Sequence, residues 1–363
     1  MSEHKKFLAV VAYRDGGSTT FPFRRRNLKA VIARWVAFGK CDVVVSEQVL
    51  PGETDPHPDL EELFSTEGVH RLVTEIDDER FHKPLLLNNA IQKYGDGFDY
   101  IVMADADALL DDGAFEYLDE HCGDSPLVFP YSNVLYLDET DTRRVLRGEP
   151  YRKGVKDHGV VITRQTGLCN VFTMDTYRKI GGFDNDFAGW GAEDDAFMIK
   201  VRRICGKISR NLTNYGTVLH LFHPKVNTTE YIKGNEYVEN RKRAACIRRM
   251  SDSDLGNYVT GKITLAELVS KYAKMGRLEV ELKWHCTPTS YLCIDTTIYD
   301  LPTEGVTFTK ILDEVRSEDS SEYVVQFIDG ILYKLTGLTD EQKAEIDGYR
   351  ARMVAECKGS AAE

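Results

Sequence analysis

Seven consecutive apolar residues, Phe7 to Tyr13, form a run rich in β-branched and aromatic side chains, the pattern of a strand buried in a parallel sheet. Leu28, Val31, Ile32 and Trp35 then recur at i, i+3, i+4 and i+7, which predicts a core-facing helix over 27–38. A second strand follows at 42–46, and the polar, Pro- and Gly-containing stretch 51–58 breaks the pattern. A helix at 84–94 leads through Gly95-Asp96-Gly97 into a strand at 99–104. This βαβαβ order predicts an α/β fold built on an open sheet, in which ligands bind beyond the carboxyl ends of strands. Asp105 and Asp107 stand at such an end.

Downstream, 127–131 and 168–173 read as strands, and the segment 138–156 between them, rich in both charge signs, reads as a mobile loop. Phe197, Val201 and Ile204 mark a helix over 194–205. A last strand over 216–221 ends in His220-Leu-Phe-His223-Pro224, and a charged helix covers 230–250. From Ser251 the character changes: a helix at 265–275, apolar β-rich runs at 278–284 and 291–299, a hairpin turning near Asp329-Gly330 and a polar terminal helix from Asp340. The expected organisation is therefore a larger domain over 1–250 and an appended α+β unit over 251–363, a place for acceptor binding or self-association.

Charge and cysteine usage narrow the classes. A formal charge of −12 over 363 residues argues against a surface built chiefly to grip nucleic acid, although basic clusters occur at Arg24–Arg26 and Arg241–Arg249. The polar start Met1 to Lys6 and the short run after it give neither a signal core nor a membrane span, so the expectation is a cytoplasmic protein. Cys41, Cys122, Cys169, Cys205, Cys246, Cys286, Cys293 and Cys357 show no C-x-x-C pair and fit buried reduced thiols. The sequons at Asn211 and Asn227 are then accidents of composition.

Two acidic motifs carry the candidate chemistry. Alternate residues of a strand share a face, so Asp105 and Asp107 can converge if strand geometry persists; otherwise one reaches a metal and the other a sugar hydroxyl. Carboxylates with open water positions suit Mg²⁺ or Mn²⁺, which neutralises a diphosphate leaving group, although Asp-x-Asp is also common at solvated loop ends. His220 and His223 can share a ligand with Asp107 only if the chain leaves the strand into a turn, which Pro224 favours, and imidazole would tilt the choice toward Mn²⁺. Gly189-Trp190-Gly191 has the composition of a loop that closes an aromatic ring over a sugar face. Glu193, Asp194 and Asp195 fall at a helix start, where capping is the plain reading; three acids exceed what one cap needs, and one can serve as a base toward an acceptor hydroxyl.

These residues carry a resemblance. The stretch Gly181-Gly-Phe-Asp-Asn-Asp-Phe-Ala-Gly-Trp-Gly-Ala-Glu-Asp-Asp195 resembles the signature of the β-1,4-galactosyltransferase family and of the related C-terminal module of bacterial chondroitin-type synthases, both GT-A fold glycosyltransferases. Phe81-His-Lys-Pro-Leu-Leu-Leu-Asn88, the Asp-x-Asp motif and Ala12-Tyr-Arg-Asp15 extend it over roughly residues 5–225. The resemblance implies Mn²⁺ (or Mg²⁺) at Asp107 and His223, with His220 where the family can present Met; Asp194 as base, Glu193 as a hydroxyl partner and Trp190 as the closing-loop aromatic. It places Tyr13, Arg14, Lys83 and Asp105 near the nucleotide. Ala192 stands where a Gly is common. The expected function is inverting transfer from a UDP-sugar to a hydroxyl of a glycan, a protein or a modified nucleobase, in a bacterial or phage enzyme. Two other readings stay open: a retaining GT-A transferase of the polypeptide N-acetylgalactosaminyltransferase type, which tends to carry Glu-Asn where this chain has Glu193-Asp194, and a non-catalytic sugar- or nucleotide-binding module.

Overall fold

The computed structural model describes residues 6–15, 21–52, 60–131, 133–149, 160–162, 166–206, 208–210, 216–224 and 235–275, the strands 298–302, 324–326 and 332–336, and the single positions 340 and 344. Two compact units are present, Met1–Ser270 and Lys271–Glu363.

In the first unit, β1 (Phe7–Tyr13), β2 (Cys41–Val49), β3 (Val69–Glu75) and β4 (Tyr100–Asp105) run parallel. Helix α1 (Phe21–Ala37) joins β1 to β2, the short α2 (Glu61–Phe64) precedes β3, and α3 (Lys83–Tyr94) leads into β4. With β6 (Leu127–Phe129), β9 (Cys169–Phe172) and β10 (Ser209–Arg210) they form a seven-stranded sheet in the order β10-β6-β9-β4-β1-β2-β3. Strand β9 is antiparallel to both β4 and β6, so the sheet is mixed. β1 is buried along its whole length; α1 packs against β2 and the short strand that follows β4, and Leu28, Val31, Ile32 and Trp35, the four positions given by the helical spacing, are buried in the same core. The α/β class and the open sheet agree with the pattern of the sequence.

A smaller, four-stranded sheet takes up the chain beyond the carboxyl end of β4. Its order is β5 (Ala108–Leu110), β11 (Thr217–His220), β7 (Asn133–Tyr136) and β8 (Val160–Ile162). The loop expected over 138–156 contains helix α5 (Glu139–Leu146), which Asp138 caps by accepting from the Asp141 amide at 2.7 Å. Val145 and Leu146 pack on Leu135, Leu137, Leu219 and Leu221. The dense charges of this helix concealed its one apolar face; 150–156 lies outside the described residues. Strand β3, the short β5 and the helices α4 (Asp112–His121) and α6 (Met174–Lys179) were also not anticipated, β3 because its alternation is that of a half-exposed edge strand with interleaved charges.

Helices α7 (Glu193–Ile204), α8 (Asn235–Arg249) and α9 (Asp252–Val259) complete the first unit, and α10 (Leu265–Lys274) follows. α9 lies beyond the boundary expected near 250, within the compact unit that runs to Ser270. Tyr258 donates to Asp184, Arg203 pairs with Asp252 at 2.6 Å, and a Cβ on Gly181 would lie 2.9 Å from the Val259 carbonyl, so α9 is packed against the Gly181–Asp184 turn. Lys200, only 2 % exposed, donates to the Gly182 carbonyl at 2.7 Å, and burial draws its ammonium down to about 8. The second unit shows a sheet of β12 (Ile298–Pro302), β14 (Leu332–Thr336) and β13 (Val324–Gln326), in that spatial order. β13 and β14 are antiparallel, as a hairpin requires; the turn at 329–330, the run at 278–284 and the body of the terminal helix lie outside the described residues. Among the described residues, five cysteines are free thiols, and no helix is long and apolar enough to cross a membrane.

Candidate active site

The strand geometry that could have aimed Asp105 and Asp107 together does not persist. β4 ends at Asp105, a turn takes Ala106 and Asp107, and β5 restarts at Ala108 in the other sheet. The two carboxylates therefore serve different clusters.

Asp107 meets the histidines because β5 pairs antiparallel with β11, setting His220 opposite Ala108. Beyond β11 the chain is drawn back toward the turn. The Leu221 amide donates to the Asp107 carbonyl at 2.9 Å, and the Phe222 amide to the Thr142 hydroxyl at 2.9 Å. Arg26 and the buried Asn27 of α1 donate to the Phe222 carbonyl at 2.9 and 3.1 Å. His223 Nε2 thereby comes within 3.2 Å of Asp107 Oδ2, His220 Nε2 lies 4.0 Å from Oδ1, and the three ligand atoms fall within 4.8 Å of one another. Two imidazole nitrogens and one carboxylate oxygen are a donor set that suits Mn²⁺ better than Mg²⁺, whose usual ligands are all oxygens, and three ligands fill only part of an octahedral shell. Burial pushes the Asp107 carboxyl up, but the charge of His220, the hydrogen bond and charge of His223 and the charge of Arg24 outweigh it and hold the group well below the usual carboxylate range. The bond to Asp107 raises His223 against the opposing effect of burial. Arg24 bears on both groups, a role for which the run Arg24–Arg26 offered only its basicity as a signal.

Asp105 turns to Lys83, the first residue of α3. The Lys83 ammonium lies 2.9 Å from Asp105 Oδ1, 3.2 Å from both oxygens of Asp194 and 3.5 Å from Glu193 Oε1. Asp194 is seated against Gly167, where a Cβ would come within 2.4 Å of its Oδ2. The Gly167 carbonyl accepts from the Tyr131 hydroxyl at 2.5 Å. Leu168 follows in the left-handed region at φ 68°, and its backbone exchanges bonds with Asp105. Burial pushes the Asp194 carboxyl well above the ordinary range; Lys83 opposes this, while the charges of Glu193 and Asp105 reinforce it.

The loop between α6 and α7 is held by one face of α8. A Cβ on Gly189 would lie 2.8 Å from Glu236, and one on Gly191 the same distance from the Tyr237 ring. Asn240 donates to the Ala188 carbonyl at 3.0 Å, and the Gly189 amide to the Phe81 carbonyl at 2.9 Å. Trp190, 45 % exposed, stacks on Tyr237 with ring centroids 5.2 Å apart and an interplanar angle of 18°. The Tyr237 hydroxyl accepts from Arg241 at 3.0 Å, and Arg241 also donates to Asp195 at 3.0 Å, whose other oxygen accepts from Thr166 at 2.6 Å. Arg241 thus faces the loop, not solvent. Tyr237 was missed by sequence reasoning, since nothing local ties position 237 to position 190, and the run Arg241–Arg249 offered only its basicity as a signal for Arg241.

Gly191 sits at φ 102° and Ala192 at φ 69°. Ala192→Gly is expected to stabilise the protein by about 1 kcal/mol, because a residue with a Cβ is strained in the left-handed region. Gly191→Ala, strained and facing the Tyr237 ring, is expected to destabilise by ~1–3 kcal/mol. Denaturant midpoints check both; equal stability of the two variants would remove the left-handed requirement of this loop.

Tyr13 ends β1 and Arg14 follows it, next to β4 in the register that pairs Ala12 with Asp105. Tyr13 is buried and donates to Asp15, which Arg25 holds; burial first, then the bond to Asp15, push its phenol far up, so it stays neutral. Arg14 is half-buried, and its carbonyl accepts from Arg24 at 3.2 Å.

Comparison with known proteins bears on the same residues. The family model described as the N-terminal domain of galactosyltransferase matches residues 161–224, a span holding the Trp190 loop, Glu193, Asp194 and both histidines. β-1,4-Galactosyltransferase 3 of Rattus norvegicus is 35 % identical over 112 residues, covering 30 % of this chain and 26 % of its own length. β-1,4-Galactosyltransferase 4 of Mus musculus is 26 % identical over 199 residues, covering 54 % and 48 %. Of solved structures, the catalytic domain of Drosophila β-1,4-galactosyltransferase 7 in complex with xylobiose aligns at 16 % identity and a TM-score of 0.39, covering 91 % of each chain. The chain thus spans about a quarter to a half of the curated relatives it matches. In the sequence of its candidate site, it resembles the β-1,4-galactosyltransferases.

Proposed function

We propose that the protein is a metal-dependent inverting glycosyltransferase that moves a sugar from a UDP-sugar to an acceptor hydroxyl of a glycan, a protein or a modified nucleobase. The observation that carries this reading is the turn at 105–107, which offers one carboxylate to two histidines and the other to the lysine that holds Glu193 and Asp194. A cation cluster beside a base cluster is the arrangement that displacement of a nucleoside diphosphate requires.

Asp107, His220 and His223 would hold Mn²⁺, which when bound neutralises charge on the diphosphate leaving group. Trp190 presents an exposed ring face for an acceptor sugar, with Tyr237 fixing it from behind. Asp194 accepts the proton of the acceptor hydroxyl as its oxygen bonds the anomeric carbon; the bond from that carbon to the phosphate oxygen breaks, and the electron pair leaves with UDP. Attack from the face opposite the leaving group inverts the anomeric centre. Glu193, adjoining the base, is placed for a second sugar hydroxyl.

UDP release across a panel of UDP-sugars, first with Mn²⁺ and then with a chelator, tests the reading. Metal-dependent release from one sugar is the expected result, and no release from any sugar together with no UDP binding by calorimetry would overturn it. Product configuration separates inversion from retention.

A further inference from the structure

Resting on that glycosyltransferase reading, we propose that Lys83 is the positioning residue of the Asp194 base, holding it ionised and aimed, and not a contact to the nucleotide. An ammonium has three donors. Here the carboxylates of Asp105, Asp194 and Glu193 all lie within 3.5 Å of Nζ, so the charge is committed within the protein. The root of the side chain is equally fixed. Lys83 opens α3 with Pro84 behind it, and Leu86, Leu87, Ala90 and Ile91 bury the following turns. Lys83 itself is 8 % exposed. Its tip joins the start of α7 to the end of β4, so the base is assembled across three elements.

The charge balance gives Lys83 a further consequence. Asp194 faces Lys83 from α3, Asp105 from β4, its own neighbour Glu193 and the backbone at Gly167. Without the ammonium, three carboxylates would share a buried pocket. Like charges in low dielectric then favour the neutral acid, and a neutral Asp194 takes no proton from an acceptor. A purely structural ion pair would affect stability without moving the ionisation that limits turnover.

The test uses the full-length protein with Mn²⁺ and the UDP-sugar that the wild type consumes. In Lys83→Met, the acid limb of the kcat profile should move up by ~1 unit or more, because loss of an opposite charge at this distance shifts a carboxyl by about that much. KM for the UDP-sugar should stay within about threefold, as expected when a transition-state group is disturbed. Lys83→Arg should keep the limb near the wild-type position. Glu193→Gln, which removes a like charge, should move it down and serves if Lys83→Met does not fold. An unmoved limb with a large rise in the UDP-sugar KM would overturn the proposal and reassign Lys83 to the nucleotide. A ¹³C carboxyl titration of Asp194 without substrate gives an independent reading. A signal unmoved by Lys83→Met or Glu193→Gln sinks the proposal whether or not sugar is transferred. A shifted signal in a protein that transfers no sugar upholds the link between Lys83 and Asp194 and sinks the transferase reading instead.

Discussion

Replacing Asp194 with Asn is expected to lower kcat by ~10²–10⁴, the range for a positioned general base, while leaving UDP and Mn²⁺ binding nearly unchanged. The substitution keeps the shape that fits against Gly167 and still lets one oxygen accept from Lys83, so the pocket has little reason to rearrange. What is lost is the ability to take a proton. Burial and the charges of Glu193 and Asp105 raise this carboxyl above its ordinary range despite Lys83, which strengthens it as a base. The sign of the pH dependence follows. The base works ionised, so turnover should fall as pH drops through the raised Asp194 value, at a pH above that of an ordinary carboxylate. Steady-state kinetics with the wild type's own donor and acceptor, alongside calorimetry with UDP, would decide the matter. Transfer within about tenfold of wild type would show that another group takes the proton.

The residues at stake were legible to different degrees, for physical reasons. Trp190, Glu193 and Asp194 stand together in the chain, and their placement needs only a glycine-flanked loop running into a helix, both local features. Asp107, His220 and His223 required one long-range step, the pairing of β5 with β11, which the turn signal at Pro224 hinted at but could not fix. The division of labour between Asp105 and Asp107 was open because it depends on whether β4 continues through Ala106. The strand ends there because Asp107 and Ala108 pass into a different sheet. Tyr237 and Thr142 had no local signal at all and Arg241 only the basicity of its cluster: each acts across more than forty residues of chain, through a stack, a hydrogen bond to backbone and an ion pair respectively. Periodicity found the inner strands and α1, where apolar burial dominates. It missed β3 and α5, where charged side chains cover the surface of an edge strand and of a capped helix.

Asp107→Ala should abolish measurable metal-dependent turnover, and His223→Ala should weaken Mn²⁺ binding by at least ~100-fold, since disturbing even the outer support of a metal ligand costs roughly 10–100-fold. Asp107 has the larger effect because it is the one anion of the set and the group both imidazoles face. Its carboxyl, held well below the usual range, stays ionised through the neutral region and adds no pH dependence there. His223 behaves otherwise. The hydrogen bond to Asp107 raises its proton affinity, and the same Nε2 lone pair is needed by a cation, so proton and metal compete for one atom. Mn²⁺ affinity should therefore weaken as pH falls through the raised His223 value, above about 6.5, by up to about tenfold per unit for one displaced proton. In His223→Ala that slope should flatten while the residual affinity stays low. Calorimetric titration of Mn²⁺ across pH reads both quantities. A wild-type-like slope in the variant would remove His223 from the cation's ligands and leave Asp107 and His220 to be joined by another group.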